Sequence, residues 1–313
     1  MNTYFVTLNW NTTDYVQKLI ETVEDNTPEP HTWIVLDNGS IPEQRAELLN
    51  LVQTVFAGHY CIATERREGW GTPKDVECIV VFAEKNLGCV LGHNLAFDMI
   101  DAARYGDGPT EIVMLDADVE VYQNGWLTEV RQWAERDSPQ VKIGIVGLEH
   151  SAPDVCAGAV FLDTSGNWYL HRDQTARAEP VRAESVGLGM ALLRWPVVQN
   201  GLHFDTGFEL YYKQDDDLCF QVRANLGLDV WAYPIDMVHW GSRGLKENEY
   251  NVNDNVRGRN AFDEIKRKNQ KYFAQKWAWA LRGRRPTLLD EAKHLDEMAA
   301  LMRERRLDSG LYE

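Results

Sequence analysis

Asp116 and Asp118 stand two residues apart, directly after the apolar run Ile112-Val113-Met114-Leu115. Alternate side chains of an extended chain leave the same side, so both carboxylates can face one hard cation. A buried strand that ends in two carboxylates must solvate or pair them. Mg2+ or Mn2+, held through one or two carboxylates plus substrate phosphates, does that. Alone, such a pair is also an ordinary way to begin a turn. His239, in Val238-His239-Trp240-Gly241-Ser242, offers an imidazole ligand from a distant part of the chain, or else a hydrogen-bonded core histidine.

Two further segments carry chemistry-bearing groups. Asp215-Asp216-Asp217 precedes a helix expected to begin near Leu218. Carboxylates there are favoured by free backbone N–H groups and the helix dipole, and one of them could equally be a general base that takes a proton from a hydroxyl. Gly88-Cys89-Val90-Leu91-Gly92-His93-Asn94 opens a helix after a strand, and its glycines let backbone approach a ribose or phosphates. It lacks the G-x-x-x-x-G-K-[ST] of a P-loop, and no G-x-G-x-x-G follows the first strand, which counts against a dinucleotide-dependent oxidoreductase.

The elements that must position these residues follow from periodicity. Tyr4 to Leu8, His31 to Leu36, Ile79 to Ala83, Ile112 to Leu115 and Ile143 to Leu148 read as strands, with helices starting near Thr12, Pro42, Val90 and Gly125. Continuous apolar strands alternating with helices predict an α/β fold, a Rossmann-like, mostly parallel sheet covered on both faces. Ligands of such sheets bind beyond the carboxyl ends of the strands. Polar groups gather at those ends: Asn9 and Asn11, then Asp37-Asn38-Gly39-Ser40, then Asn86-Leu87-Gly88, then Asp116 and Asp118. They suggest one shared cleft, although the same residue types also make turns. In the second half, Ser185 to Leu193 reads as a buried strand, Leu218 to Leu226 as a helix and Val230 to Tyr233 as a strand. The chain from Val256 onward reads as helical, ending in Leu288 to Arg306.

The whole chain sets bounds. With 313 residues and 44% hydrophobic content it can bury a large single core. A net charge of −16 disfavours non-specific attraction to nucleic acid or anionic lipid. Five scattered cysteines without a C-x-x-C pair indicate neither a disulfide framework nor a structural zinc site, and fit a reducing cytosol. The start of the chain is not a signal peptide, and no stretch approaches the roughly 18 apolar residues of a membrane span, so a cytoplasmic protein with at most peripheral membrane contact is expected.

In order, Val6-Thr7-Leu8-Asn9-Trp10-Asn11, Leu36-Asp37-Asn38-Gly39-Ser40, Asn86-Leu87-Gly88 with Gly92-His93-Asn94, Leu115-Asp116-Ala117-Asp118-Val119, Gly187-Leu188-Gly189-Met190-Ala191, Phe204-Asp205 with Tyr212-Lys213-Gln214-Asp215-Asp216-Asp217-Leu218-Cys219, and His239-Trp240-Gly241-Ser242 resemble the family 2 glycosyltransferases of GT-A fold, in particular the rhamnosyltransferase-like branch. The resemblance spans about residues 3 to 242. It implies a catalytic domain over 1–250, with a nucleotide-sugar half at about 1–120 and an acceptor half at about 121–250, followed by a helical extension over 251–313. It also implies an inverting, metal-dependent sugar transfer from a UDP-, dTDP- or GDP-linked donor to a hydroxyl, most simply of a saccharide. Asp37 would hold the nucleoside, Asp116 the ribose or the metal shell, and Asp118 and His239 the metal. Asn9, Asn11, Asn86, Gly88 and Asn94 would line the donor site. The family's E-D-x-D-L motif falls on Gln214-Asp215-Asp216-Asp217-Leu218 and makes Asp215 the base, with Gln in place of the usual Glu.

Ten basic residues between 257 and 285 face only Asp263 and Glu264, with Phe262, Tyr272, Phe273, Trp277 and Trp279 interleaved. Such a segment can pack on the catalytic domain or meet a phosphate-bearing acceptor, a membrane surface or DNA. Two other functions therefore stand beside the first: glycosylation of hydroxymethylated bases in DNA, and a non-catalytic saccharide-binding module. Trp168, Tyr169, His171 and Arg172 could line an acceptor groove or an exposed loop.

Overall fold

The computed structural model describes residues 2–65, 76–103, 109–135, 142–150, 160–162, 170–172, 179–201, 203–240 and 258–278. The first half alternates as expected. β1 (Asn2–Asn9) is followed by α1 (Thr13–Asn26), β2 (Thr32–Asp37), α2 (Pro42–Val55), β3 (Tyr60–Thr64), β4 (Cys78–Phe82), α3 (Gly88–Ala103) and β5 (Thr110–Leu115). β6 (Val119–Val121), α4 (Trp126–Ala134), β7 (Ile143–His150), β8 (Val160–Leu162), β9 (Leu170–Arg172), β10 (Val181–Ala183), β11 (Met190–Leu193) and α5 (Trp195–Val198) come next. They lead to α6 (Gln214–Leu226), β12 (Asp229–Ile235), β13 (Met237–His239) and α7 (Gly258–Lys276).

Nine strands form one sheet in the order β10-β12-β7-β11-β5-β1-β2-β4-β3. β3, β4, β2, β1 and β5 run parallel. β11 is antiparallel to both β5 and β7, and β10 to β12, so the sheet is mixed and mostly parallel. Alternation along the strands sorts side chains to two cores. Tyr4, Val6, Ile34 and Leu36 pack with residues of α3, α6 and α7, while Phe5, Trp33 and Val35 pack with α1, α2 and α4. On α1, Val16, Leu19, Ile20 and Val23 are fully buried at helical spacing, and each such side chain contributes about 1.5–3 kcal/mol.

Three differences from the sequence reading matter. β3 adds an edge strand outside the expected ones, and Tyr60–Thr64 is only partly covered there. Of the expected strand from Ser185 to Leu193, only Met190–Leu193 pairs along its length. Val186 to Gly189 instead runs irregularly across the carboxyl edge of the sheet. The helix expected near Leu218 begins at Gln214, where Lys213 adopts a left-handed φ of 70°, so the three aspartates form its first turn and make no side-chain cap. Leu288 to Arg306, and Trp168 and Tyr169, lie outside the described residues; His171 and Arg172 fall in β9.

Candidate active site

The carboxyl edge of β5 delivers Asp116 and Asp118, and two pairings complete the cluster. β11 runs antiparallel to β5 with Met190 opposite Leu115, which puts Gly189 beside Asp116, whose N–H donates to the Gly189 carbonyl. β6 and β13 form a two-stranded ribbon with Val119 opposite His239, which carries the imidazole back to the aspartates. His239 Nε2 lies 3.4 Å from Asp116 Oδ2 and 3.3 Å from Asp118 Oδ1. One ligand atom from each of the three lies within 4.8 Å of the others. Gly189 is required by packing, because a Cβ there would sit 2.4 Å from Asp116 Oδ2 and 3.1 Å from His239 Cε1.

The electrostatics show a site that asks for positive charge. Burial alone would pull the His239 pKa down. Hydrogen bonds that the imidazole donates to both aspartates, together with their charges, outweigh it and hold the imidazole up at about 11. Two carboxylates and one imidazole within a few ångströms fit a divalent cation, with the imidazole then neutral and the carboxylates as oxygen ligands. Asp118 and His239 are largely enclosed, while the side chain of Asp116 keeps 48% exposure, so the cluster opens to one side.

The aspartate run separates into three environments. Asp215 is partly exposed, and its Oδ2 accepts a 3.4 Å hydrogen bond from the Leu188 N–H, next to Gly189. Asp216 is buried, accepts from the Ser185 hydroxyl and pairs with Lys213 Nζ at 2.7 Å. Asp217 is fully buried and accepts from Trp277 Nε1 at 2.7 Å, Gln221 Nε2 at 2.6 Å and Lys276 Nζ. Lys276 also reaches Asp205 Oδ2 at 2.6 Å, where the Tyr272 hydroxyl donates at 2.9 Å. Burial raises the Asp217 pKa against the pull of Lys276, whereas at Asp205 Lys276, the Gly207 N–H and Tyr272 overcome burial and lower it. Burial drives the Cys89 thiol up to about 12, with the charges of Asp116 and Asp215 both adding.

The expected donor-site residues form a second, adjoining network. Asp37 is fully buried: Oδ1 accepts from the Ser40 N–H at 3.1 Å and Arg45 Nε at 2.9 Å, and Oδ2 from Asn9 Nδ2 at 3.2 Å. Asn9 Oδ1 accepts from the Thr12 N–H and hydroxyl, and Asn11 ties to Ser40 and Ile41. Asn38 donates to the Gly88 carbonyl and accepts from the Leu87 N–H, while Asn86 accepts from the Gly88 N–H. Gly88 needs its positive φ of 74°, and a Cβ would meet Leu210 Cα at 2.7 Å. Asn94 turns away from this network and bonds both the N–H and the carbonyl of Phe204 at 2.9 Å. His93 beside it packs at a tilt near Phe97 and Phe204; burial lowers its pKa against the pull of Asp116.

Sequence reasoning missed Arg45, Asn38, Ser185 and Lys276 as partners. Arg45 and Asn38 had a signal in their proximity to Asp37, but Ser185 and Lys276 had none, because their partners are distant in the chain. In the basic segment, Tyr272, Phe273 and Trp277 are buried against the core, and Asn269 bonds the backbone of Glu209 and Tyr211. Lys266, Arg267, Lys268 and Lys271 remain on the outer side.

By sequence the chain matches no protein-family profile and no curated protein. By structure it resembles the mannosyltransferase PcManGT from Pyrobaculum calidifontis, solved with GDP-Man and Mn2+, at a TM-score of 0.50 and 13% identity over 96% of this chain and 79% of that one. It also resembles GalNAc-T7, solved with UDP, GalNAc and Mn2+, at a TM-score of 0.52 and 12% identity over all of this chain and 58% of that one. The fold is thus of the GT-A type, a mixed, mostly parallel sheet flanked by helices. An acidic and histidine cluster suited to a metal stands at its carboxyl edge.

Proposed function

We propose that the protein is an inverting glycosyltransferase of the family 2, rhamnosyltransferase-like kind, moving a sugar from a nucleoside-diphosphate donor to a hydroxyl of a saccharide acceptor. The observation that carries this reading is the convergence of Asp116, Asp118 and His239 across Gly189 from Leu188 and Asp215. Asp118 and His239, with Asp116 beside them, would hold Mn2+ or Mg2+. Such an ion would supply charge stabilisation for the departing diphosphate. Asp215, the least enclosed of the three aspartates, takes the proton from the acceptor hydroxyl. The freed oxygen forms its bond to the anomeric carbon as the carbon–oxygen bond to the diphosphate breaks, the electron pair leaving on that oxygen. The buried Asp37 acts here by holding Asn9, Ser40 and Arg45 in place under the donor's nucleoside.

The test is a thermal-shift screen of UDP-, dTDP- and GDP-sugars with Mn2+ and with Mg2+, followed by detection of released nucleoside diphosphate. A metal-dependent rise in unfolding temperature with one donor class, lost in Asp118→Ala, is expected. If no donor shifts the transition with metal present, the reading fails.

A further inference from the structure

In the β6–β13 ribbon, Val119, Val121 and Met237 point into the core, so by alternation Glu120, Val238, Tyr122 and Trp240 take the opposite face. Tyr122 and Trp240 are 48% and 42% exposed, which is unusual for such large rings. One carboxylate holds both: Trp240 Nε1 donates to Glu120 Oε1 at 2.7 Å, and the Tyr122 hydroxyl donates to Oε2. The ribbon is pinned at each end. The Trp240 N–H donates to the Asp118 carbonyl at 3.0 Å, and the Tyr122 and Gln123 N–H groups donate to the Asp236 carbonyl at 2.9 and 3.1 Å. The rings are therefore fixed before any ligand arrives, and their polar atoms are already engaged, so they present their faces.

Position and charge say what such a strip takes. Trp240 follows His239 and bonds back to Asp118, so the strip starts at the candidate metal cluster. Glu120 bonds both rings and the charge of Asp236 acts on the Tyr122 hydroxyl, so the strip is acidic. Carboxylates beside aromatic faces suit a neutral polyhydroxyl ring, whose C–H face stacks on the aromatics while its hydroxyls donate to the carboxylates' remaining lone pairs. The same charges repel phosphate and nucleic acid.

We infer that the Tyr122–Glu120–Trp240 face is an acceptor subsite that takes a neutral sugar ring stacked on Trp240, an assignment of acceptor class that rests on the transferase reading above. The test uses the full chain with UDP and Mn2+ on a printed array of neutral, sialylated and phosphorylated oligosaccharides and duplex DNA, followed by calorimetry with the best-bound glycan. Neutral glycans bind, Trp240→Ala weakens them about tenfold or more, and Trp240→Phe, which keeps a stacking face, recovers most of the loss. UDP with Mn2+ is titrated into the same samples. Unchanged glycan binding in Trp240→Ala, or binding only of anionic glycans or DNA, overturns the subsite even where UDP and Mn2+ bind. Conversely, Trp240-dependent glycan binding without any UDP–Mn2+ binding keeps the sugar-stacking face but overturns its acceptor role together with the transferase reading. Should Trp240→Ala not fold, Trp240→Phe and Tyr122→Ala carry the comparison, with equal wild-type and Tyr122→Ala affinities counting against it.

Discussion

Two places in the protein gather a pair of aspartates around one basic side chain. Asp205 and Asp217 close on Lys276, and Tyr272, Trp277, Gln221 and the Gly207 N–H donate to the same two carboxylates. Asp116 and Asp118 meet His239 at the carboxyl edge of the sheet, with Asp116 half open to solvent. The first pair is sealed by an ammonium and neutral donors, so its charges are spent on holding α7 against α6. The second leaves Asp116 half exposed beside the enclosed Asp118 and His239. The two acidic pairs thus differ in exposure and in partner, an ammonium inside the fold against an imidazole at an open edge.

The sealed pair should give the largest effect when broken. Lys276→Met leaves two buried carboxylates uncompensated and is expected to cost about 3–5 kcal/mol of stability, read from urea midpoints. Adding Asp205→Asn and Asp217→Asn to that variant should recover part of the loss, and no recovery would show that the site is held by packing rather than charge. At the open pair, Asp118→Asn should cost less stability than Lys276→Met, read from the same urea midpoints, and lower donor turnover by about 10²–10³-fold. A large stability loss with turnover retained would mean that this pair, too, is structural.

Smaller effects sharpen the contrast. Gly189→Ala pushes a methyl group onto Asp116 and His239 and should weaken Mn2+ binding about tenfold by calorimetry, with little change in the α7 clamp. The smallest effect is a pH dependence. The Asp205 pKa is lower folded than unfolded, so its contribution is fully present above the unfolded value of about 3.9 and is lost as pH falls through the lower folded value. The stability advantage of wild type over Asp205→Asn should therefore be constant from pH 7 to about 5 and shrink below about 4. An advantage that grew on acidification would contradict the assigned direction.

Much of the first half was legible in the residues. Continuous apolar runs between amphipathic segments specify a parallel sheet because both of its faces must be covered, and the model carries β1, β2, β4 and β5 at those runs. The mixed edge was not legible, since β11 is apolar whichever direction it runs. Val186 to Gly189 is apolar enough to read as strand, yet Gly189 is fixed by contact with Asp116 and His239, not by propensity. Asp215, Asp216 and Asp217 are identical in the sequence and differ in the fold through Leu188, Ser185 and Trp277, which reach them from elsewhere in the chain.

The sequence by itself determined the alternation of elements and the strand end carrying Asp116 and Asp118, because periodicity and chain alternation are local properties. Only the tertiary structure decided that His239 joins them, through the pairing of β13 with β6, and that Lys276 is committed to Asp205 and to Asp217 across 59 positions of chain. The physical reason is that pairing and packing choose partners by shape and by unsatisfied hydrogen bonds, which no local pattern records.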